Sequence, residues 1–320
     1  MNEALALDLS VVLPTDTFET VRPVVERLER QSIAERIELV LVMPATGAAG
    51  VRDAQRGRLG ALRVIEVDDI LPLARARAAG VRAARAPLVF LGETHSYPRA
   101  GWAEAIVEAG ARHEFDVIVP SFGNANPNGV LSWSGFLIDY GGWQHGHEGG
   151  EVVSIPIFNS VYRTALLHGL GDRLEHAMGH GDALVVELRA RGHRAQLAPG
   201  ARLDHVNVSQ PRAWVRERLA VGRLLGANRS VAWSRPRRVA YAAAFPLIAL
   251  VLARRALPGL RRHDAACRAP RGTALAMVAA ASLKACGEAL GYLAGVSPAG
   301  ERVADEFELH KLAYVARGRR

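Results

Sequence analysis

The stretch PLVFLGETHSYP, residues 87–98, joins a short apolar run to a polar end. Leu88–Leu91 has the length and composition of a buried strand, and a glycine stops it. Glu93 and His95 follow at alternate positions. In open α/β sheets ligands bind outside the carboxyl ends of the strands, so this stretch predicts a functional site at the end of a strand.

The residues around this stretch alternate between strand and helix patterns as far as residue 121. Short β-branched runs predict strands, and apolar residues at helical spacing predict helices between them. Short connections between such elements are typical of a layered α/β fold with parallel strands. The predicted strands are 8–14, 36–44, 62–67, 87–92 and 115–121, and the predicted helices are 19–32, 71–86 and 101–113.

After residue 121 the pattern of the sequence becomes less regular. Residues 121–160 are rich in glycine, asparagine and aromatic residues without a clean period, which predicts a long irregular segment with a functional role. His145 and His147 lack a third ligand at a regular spacing, so we interpret them as part of a surface loop. Helices are expected at 180–193 and 211–229, with short extended pieces at 194–206 between them.

The composition changes again after Ser234. Residues 239–253 are uncharged, contain Pro246 and are flanked by arginine pairs, and 272–296 is a longer apolar region. The first run is too short for a confident membrane span, but arginine flanks suit an anionic lipid surface. We therefore expect a domain of residues 1–234 and a membrane-associated helical region of residues 235–320, with two soluble core helices as the alternative reading of the apolar runs.

The bulk composition narrows the class of protein. The chain has 320 residues, 49% hydrophobic and 22% charged, with a formal net charge of +8, which is an ordinary globular balance with a basic surplus. Two cysteines, Cys267 and Cys286, give no disulfide framework. The N-terminus lacks the basic region of a signal peptide, which indicates a cytoplasmic protein. The aromatics lie in a segment poor in charge, which disfavours nucleic acid as a partner.

Common nucleotide and hydrolase motifs are missing from the sequence. There is no G-x-x-x-x-G-K-[ST], no G-x-S-x-G, and no G-x-G-x-x-G after a strand. A P-loop NTPase, an α/β-hydrolase and a dinucleotide enzyme of the usual kind are therefore disfavoured.

Several side chains at predicted strand and helix ends have two readings. Asp16 and Thr17 could cap the following helix or help to hold a nucleotide base. Glu93 and His95 could hold a divalent cation or form an ordinary turn. Asp182, near a helix start, could cap the helix or act as a general base. His205, after an extended piece, is a candidate third ligand or a plain hydrogen-bonding residue.

The order of these parts resembles a family 2 glycosyltransferase with the GT-A fold over roughly residues 8–230. Residues 9–31 resemble that family's opening strand and helix. Residues 74–109 resemble the helix, acidic-motif strand and tryptophan-containing helix that follow. Residues 158–167 resemble the acceptor-side segment, and 180–205 resemble the helix with the catalytic acid, then a turn and a histidine.

The resemblance implies transfer of a sugar from a nucleotide-sugar donor to an acceptor hydroxyl, with inversion and with Mn²⁺ or Mg²⁺ as cofactor. The apolar C-terminal pieces would place the cleft near lipid, so we expect the acceptor to be a lipid-linked or envelope glycan at the cytoplasmic face of the plasma (inner) membrane. By role, the implied residues are Asp182 as catalytic base; Pro14, Thr15, Asp16, Arg77, Glu93 and His95 at the donor; Asn159, Trp133 and Tyr162 at the acceptor; and Glu93, His95 and His205 at the metal.

Three departures from the family pattern support alternatives. GETH replaces the Asp-x-Asp motif, VMPATG replaces an aspartate-rich turn, and His180 and Gly181 replace an acidic residue before Asp182. A relative that binds a nucleotide-sugar or glycan without turnover, or a scaffold of a membrane complex, therefore stands beside the enzyme.

Overall fold

The computed structural model describes residues 6–48, 50–51, 57–179, 181–261 and 268–316. His180 and Cys267, which entered the sequence analysis, lie outside the described residues. By contacts, the chain forms two compact units. The first comprises Met1–Ser121, His147–Gly179 and Ala183–Asp204, and the second Phe122–Gly146, His180–Asp182 and His205–Arg320. The boundary predicted after Ser234, between the first domain and a membrane-associated helical region, stays a prediction.

The strands form one mixed sheet. The strands are β1 (Leu9–Pro14), β2 (Ile37–Pro44), β3 (Ala61–Val67), β4 (Leu88–Leu91), β5 (Ser96–Pro98), β6 (Val117–Asn124), β7 (Gly150–Val152), β8 (Val161–Arg163) and β9 (Ala195–His205). Their spatial order is β3-β2-β1-β4-β8-β6-β9-β5, with β7 paired to β9.

Helices fill most of the remaining chain. They are α1 (Phe18–Glu29), α2 (Ala45–Ala48), α3 (Leu73–Ala83), α4 (Trp102–Ala111), α5 (Val130–Tyr140), α6 (Thr164–His168), α7 (Leu174–Ala177), α8 (Ala183–Ala190), α9 (Pro211–Arg229), α10 (Arg235–Ala243), α11 (Phe245–Ala256), α12 (Thr273–Ala294) and α13 (Pro298–Leu309).

The first part of the sheet is parallel, as the strand–helix alternation predicts. β1 pairs in parallel with β2 on one side and with β4 on the other, and β2 pairs in parallel with β3. Every residue of β1 and β4 is buried, which explains why both read as apolar runs rather than alternating ones. The predicted α/β class with a layered sheet is therefore confirmed.

Helix α3 packs directly on this parallel part of the sheet. Gly80 faces Val12 and Val42, and a Cβ at this position would clash with both side chains. The glycine therefore allows the helix to approach the strands closely. Val81 and Leu91 lie in the same buried apolar cluster, which places the core between α3 and the sheet.

The sequence predictions are wrong in two places. Residues 121–160 are not irregular throughout, since β6 continues to Asn124 and α5 covers Val130–Tyr140. The expected short extended pieces at 194–206 are one strand of 11 residues, β9. Pro199 and Gly200 lie inside this strand, where both are exposed, and the strand continues through them.

The helices of the second unit confirm a helical C-terminal region. Helices α9 and α12 meet through glycines, because a Cβ at Gly222 would clash with the backbone of Lys284 and one at Gly226 with the backbone of Glu288. Gly291 faces the backbone of Arg223 in the same way. Without side chains at these positions the two backbones come into direct contact. The helix predicted at 211–229 therefore packs through a face that carries glycines.

Of the described helices, α12 is long and apolar enough to cross a membrane by length and composition. Its most apolar window is 39% buried by the rest of the protein. Residues Arg235–Ala243 and Phe245–Leu260 pass the same test only together, and they are bent by 60°. The bend falls beside Pro246.

A network of charged side chains, some buried and some half-buried, lies among α5, α9 and α12. Arg218 is 3% exposed and donates at 2.6 Å to Asp139, and Lys284 donates at 2.9 Å to the other oxygen of the same carboxylate. Glu217 accepts from Arg218 at 2.8 Å. Burial alone raises the pKa of the Asp139 carboxyl, but the charges of Arg218 and Lys284 outweigh it and hold that pKa below its ordinary value.

Replacing Asp139 with asparagine should destabilise the protein by about 3 kcal/mol, because two cations would lose their shared partner in a poorly solvated site. Urea unfolding measures this change. Asp172→Asn, an exposed aspartate in the first unit, is the matched control and should change the unfolding free energy by less than about 0.5 kcal/mol. Equal effects of the two substitutions would contradict a role for the buried network.

The contacts of Asp139 with Arg218 and Lys284 also predict that stability depends on pH. A carboxyl whose pKa is depressed by folding stabilises the protein above its unfolded value of 3.8, and this contribution is lost as pH falls below that value. The difference in unfolding free energy between the parent and Asp139→Asn should therefore shrink when unfolding is repeated at pH values falling from about 5 to about 2.

Candidate functional site

Two loops leave the sheet side by side at the carboxyl ends of β1 and β4. The strands are parallel, with Leu9 opposite Leu88 and Val12 opposite Leu91, and Gly92 donates its N–H to Val12 at 3.0 Å. The residues after β1 and those after β4 therefore leave the same edge of the sheet. This is the arrangement that the sequence predicts.

Glu93 and His95 lie together in the loop after β4. Glu93 is 7% exposed and His95 fully buried, and His95 Nε2 lies 3.2 Å from Glu93 Oε2. The Ser96 hydroxyl donates to the same oxygen at 3.3 Å. A buried carboxylate in such contacts has a restricted orientation. A carboxylate that binds a cation, including one that balances the charge of a diphosphate, requires such an orientation.

His205 is the third of the predicted metal ligands. It is the last residue of β9 and is buried, and it belongs to the second compact unit, whereas Glu93 and His95 belong to the first. Its part in a metal site with Glu93 and His95 therefore stays a prediction. One carboxylate and two imidazoles are a donor set that a transition metal such as Mn²⁺ accepts.

An asparagine-rich cluster orients His205 within the second unit. Its Nδ1 lies 3.1 Å from Asn207 Oδ1. The Asn207 amide nitrogen donates to Asn124 Oδ1 at 3.0 Å, which directs the Asn207 oxygen toward the imidazole. With Nδ1–H donated to that oxygen, the lone pair of the neutral His205 imidazole lies on Nε2.

The residues after β1 form the N-terminal cap of α1. Thr17 is the N-cap of α1 and accepts from the backbone N–H of Thr20 at 3.3 Å. Asp16 Oδ1 accepts from the Thr17 N–H and the Thr20 hydroxyl, both at 2.8 Å. Thr15 is fully buried and its hydroxyl donates to the Thr17 carbonyl at 2.7 Å. Of the two readings left open by the sequence, capping is thus observed.

Among the other residues assigned to the donor, Pro14 ends β1 and is buried, and Arg77 lies on α3. Arg77 is 4% exposed and its guanidinium lies 3.5 Å from the centre of the Phe158 ring. This cation–π contact holds the charge against the segment before β8. The donor-binding roles of Pro14, Thr15, Asp16 and Arg77 stay predictions.

The three residues assigned to the acceptor side have buried side chains. Trp133 donates from Nε1 to the Pro127 carbonyl at 2.9 Å, and the Tyr162 hydroxyl donates to the Ile157 carbonyl at 2.7 Å. Burial raises the pKa of Tyr162. Asn159 is fully buried beside Glu93. Their contact with an acceptor stays a prediction.

Asp182 lies in the second unit, in an ion-pair chain with α9 and α12. Arg229 Nε is 3.8 Å from Asp182 Oδ2, and Arg229 also donates at 3.1 Å to Glu288, which is 1% exposed. The Tyr292 hydroxyl donates to the same Glu288 oxygen at 2.9 Å. Burial raises the pKa of Tyr292 to about 12, helped by the charge of Glu288. The role of Asp182 as general base stays a prediction.

The sequence analysis missed the partners of the site residues. Arg229 and Glu288 lie far apart in sequence. The one sequence feature that indicates their ion pair is the position of Glu288 inside an apolar helix, where a buried charge needs a partner. Asn124 and Asn207 carry no motif that marks them. The surface-loop interpretation is wrong for His145, which is 6% exposed and donates its N–H to the Phe122 carbonyl at 2.8 Å. His147 is half-buried.

Replacing Arg229 with methionine should destabilise the protein by about 2 kcal/mol, because it leaves the buried Glu288 carboxylate with a single hydroxyl partner. Asp182→Asn, which breaks only a partly exposed pair, should cost less than about 1 kcal/mol. Urea unfolding of the two variants measures the difference. Adding Glu288→Leu to Arg229→Met should recover part of the loss, and a further loss would contradict this account.

Comparison with known proteins finds structural neighbours but no match in sequence. No protein-family model matches the chain, and no curated protein matches it. S. aureus TarS aligns with a TM-score of 0.49 and 18% identity over 79% of this chain and 48% of TarS. GalNAc-T7 with UDP, GalNAc and Mn²⁺ aligns with a TM-score of 0.48 and 14% identity over 63% of this chain and 43% of GalNAc-T7.

A third neighbour is S. aureus TarS 1–349 in complex with UDP-GlcNAc, with a TM-score of 0.46 and 16% identity over 79% of this chain and 80% of that one. The neighbours are glycosyltransferases, and all three TM-scores lie below 0.5. This chain spans about half the length of the full TarS chain and of GalNAc-T7.

Proposed function

We propose that the protein is a GT-A-type glycosyltransferase of family 2 that transfers a sugar from a nucleotide-sugar to an acceptor hydroxyl, with inversion. The observation that carries the proposal is the buried Glu93–His95 pair at the carboxyl edge of the parallel strands. The resemblance in sequence assigns the diphosphate of the donor to the same residues. Fold position and motif thus support one site.

The residues present fit a divalent cation. Glu93 and His95 would hold it, with His205 as the third ligand that the sequence resemblance implies, and when bound it would neutralise the negative charge that develops on the leaving diphosphate. Two imidazoles favour Mn²⁺ over Mg²⁺, which prefers oxygen ligands. Replacement of the second acidic residue of the motif by His95 is therefore compatible with metal binding, with a changed preference among metals.

Acceptor activation falls to Asp182 in this proposal. A carboxylate accepts the proton of the attacking hydroxyl as the new glycosidic bond forms and the bond to the diphosphate breaks. Asp182 precedes the first turn of α8, and Arg229, held by Glu288, lies next to its carboxylate. These contacts support a fixed orientation for the base.

A screen of UDP-, GDP- and dTDP-sugars, each with and without Mn²⁺, tests the proposal by thermal unfolding. A donor at about 100 times its dissociation constant should stabilise the protein by about 2.7 kcal/mol. Glu93→Gln should remove the part of the shift that depends on Mn²⁺. Glu148→Gln, an exposed glutamate, is the matched control and should keep it. No shift with any donor would contradict the proposal.

Transfer by the stabilising donor separates the enzyme from a non-catalytic binding protein. Asp182→Asn should keep the thermal shift and lose transfer by about 100-fold or more, because only proton acceptance is removed. If the parent protein shows the shift but no transfer to any glycan acceptor, the binding protein is the better assignment.

We also propose that the C-terminal helices lie on an anionic membrane, with a lipid-linked or envelope glycan as acceptor at the cytoplasmic face of the plasma membrane. Helix α11 exposes Leu247 at 61% and Leu250 at 62%. Arginines flank the α10–α11 pair at both ends, in the sequences RPRR and ARR. Exposed apolar side chains beside arginine are typical of helices at the lipid surface.

Sedimentation with vesicles tests this arrangement. The protein should pellet with vesicles containing phosphatidylglycerol and much less with phosphatidylcholine alone, and Leu247→Asp with Leu250→Asp should weaken binding at least tenfold. Val153→Asp, at a side chain 82% exposed in the first unit, is the control and should bind as the parent does. Failure to pellet with either vesicle would contradict the membrane proposal and favour soluble core helices.

A further inference from the structure

The backbone of Asn159 is held in an unusual conformation. Non-glycine residues with positive φ in the described chain are His113, at 55°, and Asn159, at 63°. Asparagine tolerates this left-handed region better than most residues, at a cost in conformational energy. Two hydrogen bonds tie the backbone here to β4, from Asn159 N to the Leu91 carbonyl at 2.7 Å and from Leu91 N to the Ser160 carbonyl at 3.1 Å.

This conformation directs the Asn159 side chain to Glu93. The Asn159 amide nitrogen donates to Glu93 Oε2 at 2.5 Å, in the fully buried interior of the first unit. His95 Nε2 and the Ser96 hydroxyl contact the same oxygen. Three groups therefore converge on Oε2, which orients the carboxylate.

The turn that carries Asn159 is itself fixed by side chains on either side of it. The Ser160 hydroxyl donates to the Pro156 carbonyl at 2.5 Å, and the Tyr162 hydroxyl donates to the Ile157 carbonyl at 2.7 Å. The Tyr162 ring is fully buried in the core beneath β4. Hydrogen bonds of the backbone and of neighbouring side chains thus hold the turn at Asn159.

We propose that Asn159 is a positioning residue for the metal ligand Glu93, its amide fixing the carboxylate in the orientation that binds the cation. The inference rests on the proposed function, since it requires a metal at Glu93 and His95. It gives Asn159 a different task from the acceptor contact that the sequence resemblance implies. It also accounts for a left-handed asparagine at a position where glycine would satisfy the backbone.

Substitution by glycine separates the side chain from the backbone. Asn159→Gly keeps the left-handed conformation without strain, so the thermal midpoint should stay within a few degrees of the parent. Mn²⁺ affinity, measured by electron paramagnetic resonance of free Mn²⁺ without any sugar donor, should fall 10- to 100-fold, as is usual when the partner of a ligand is lost. Asn159→Ala should lose the same affinity and also lower the midpoint, because alanine strains the backbone.

His113→Gly is the matched control. It removes the other non-glycine side chain with positive φ, next to the end of α4, and should leave Mn²⁺ affinity unchanged. Parent-like Mn²⁺ affinity in Asn159→Gly would overturn the inference and leave the metal site standing. If the parent protein binds no Mn²⁺, both the metal site and the inference are wrong.

Discussion

Parallel pairing of β1 with β4 is the constraint on which the candidate site depends. Because the two strands run in the same direction and in register, the residues after Pro14 and those after Leu91 leave one edge of the sheet. Both strands are buried on both faces, so a slip in register would expose apolar residues and leave backbone groups unpaired. The core that stabilises the fold is therefore also what places Glu93 and His95.

Orientation within the site comes from a different source. The sheet brings the Glu93 backbone to the edge, but the direction of its carboxylate is restricted by hydrogen bonds from Asn159 and Ser96 and by contact with His95. Asn159 reaches it from a loop 66 residues later in the chain, held by its pairing with β4. A single oxygen thus joins the loop after β4 to the turn before β8.

Helix α12 is apolar in composition, but one of its sides carries charged residues that form ion pairs. Lys284 and Glu288 interrupt α12 and would be costly in lipid, yet each has a partner of opposite charge, Asp139 and Arg229. Glycines on α9 and α12 bring the backbones close enough for these pairs to form. The same helix leaves Leu275 and Leu293 exposed, so its two sides have different environments.

The sequence alone was enough for the α/β class, the parallel strands and the polar end of β4, because buried strands and the helices between them leave local patterns. It also placed Glu93, His95 and His205 at strand ends. It could not show that α5 is a helix, since that segment lacks a clean period, or that 194–206 is one strand, since Pro199 and Gly200 within it are typical of a break between strands. Only the tertiary structure decided the partners, Asn159 with Glu93 and Arg229 with Asp182. Contacts between residues distant in the chain depend on three-dimensional packing, and no local pattern records them.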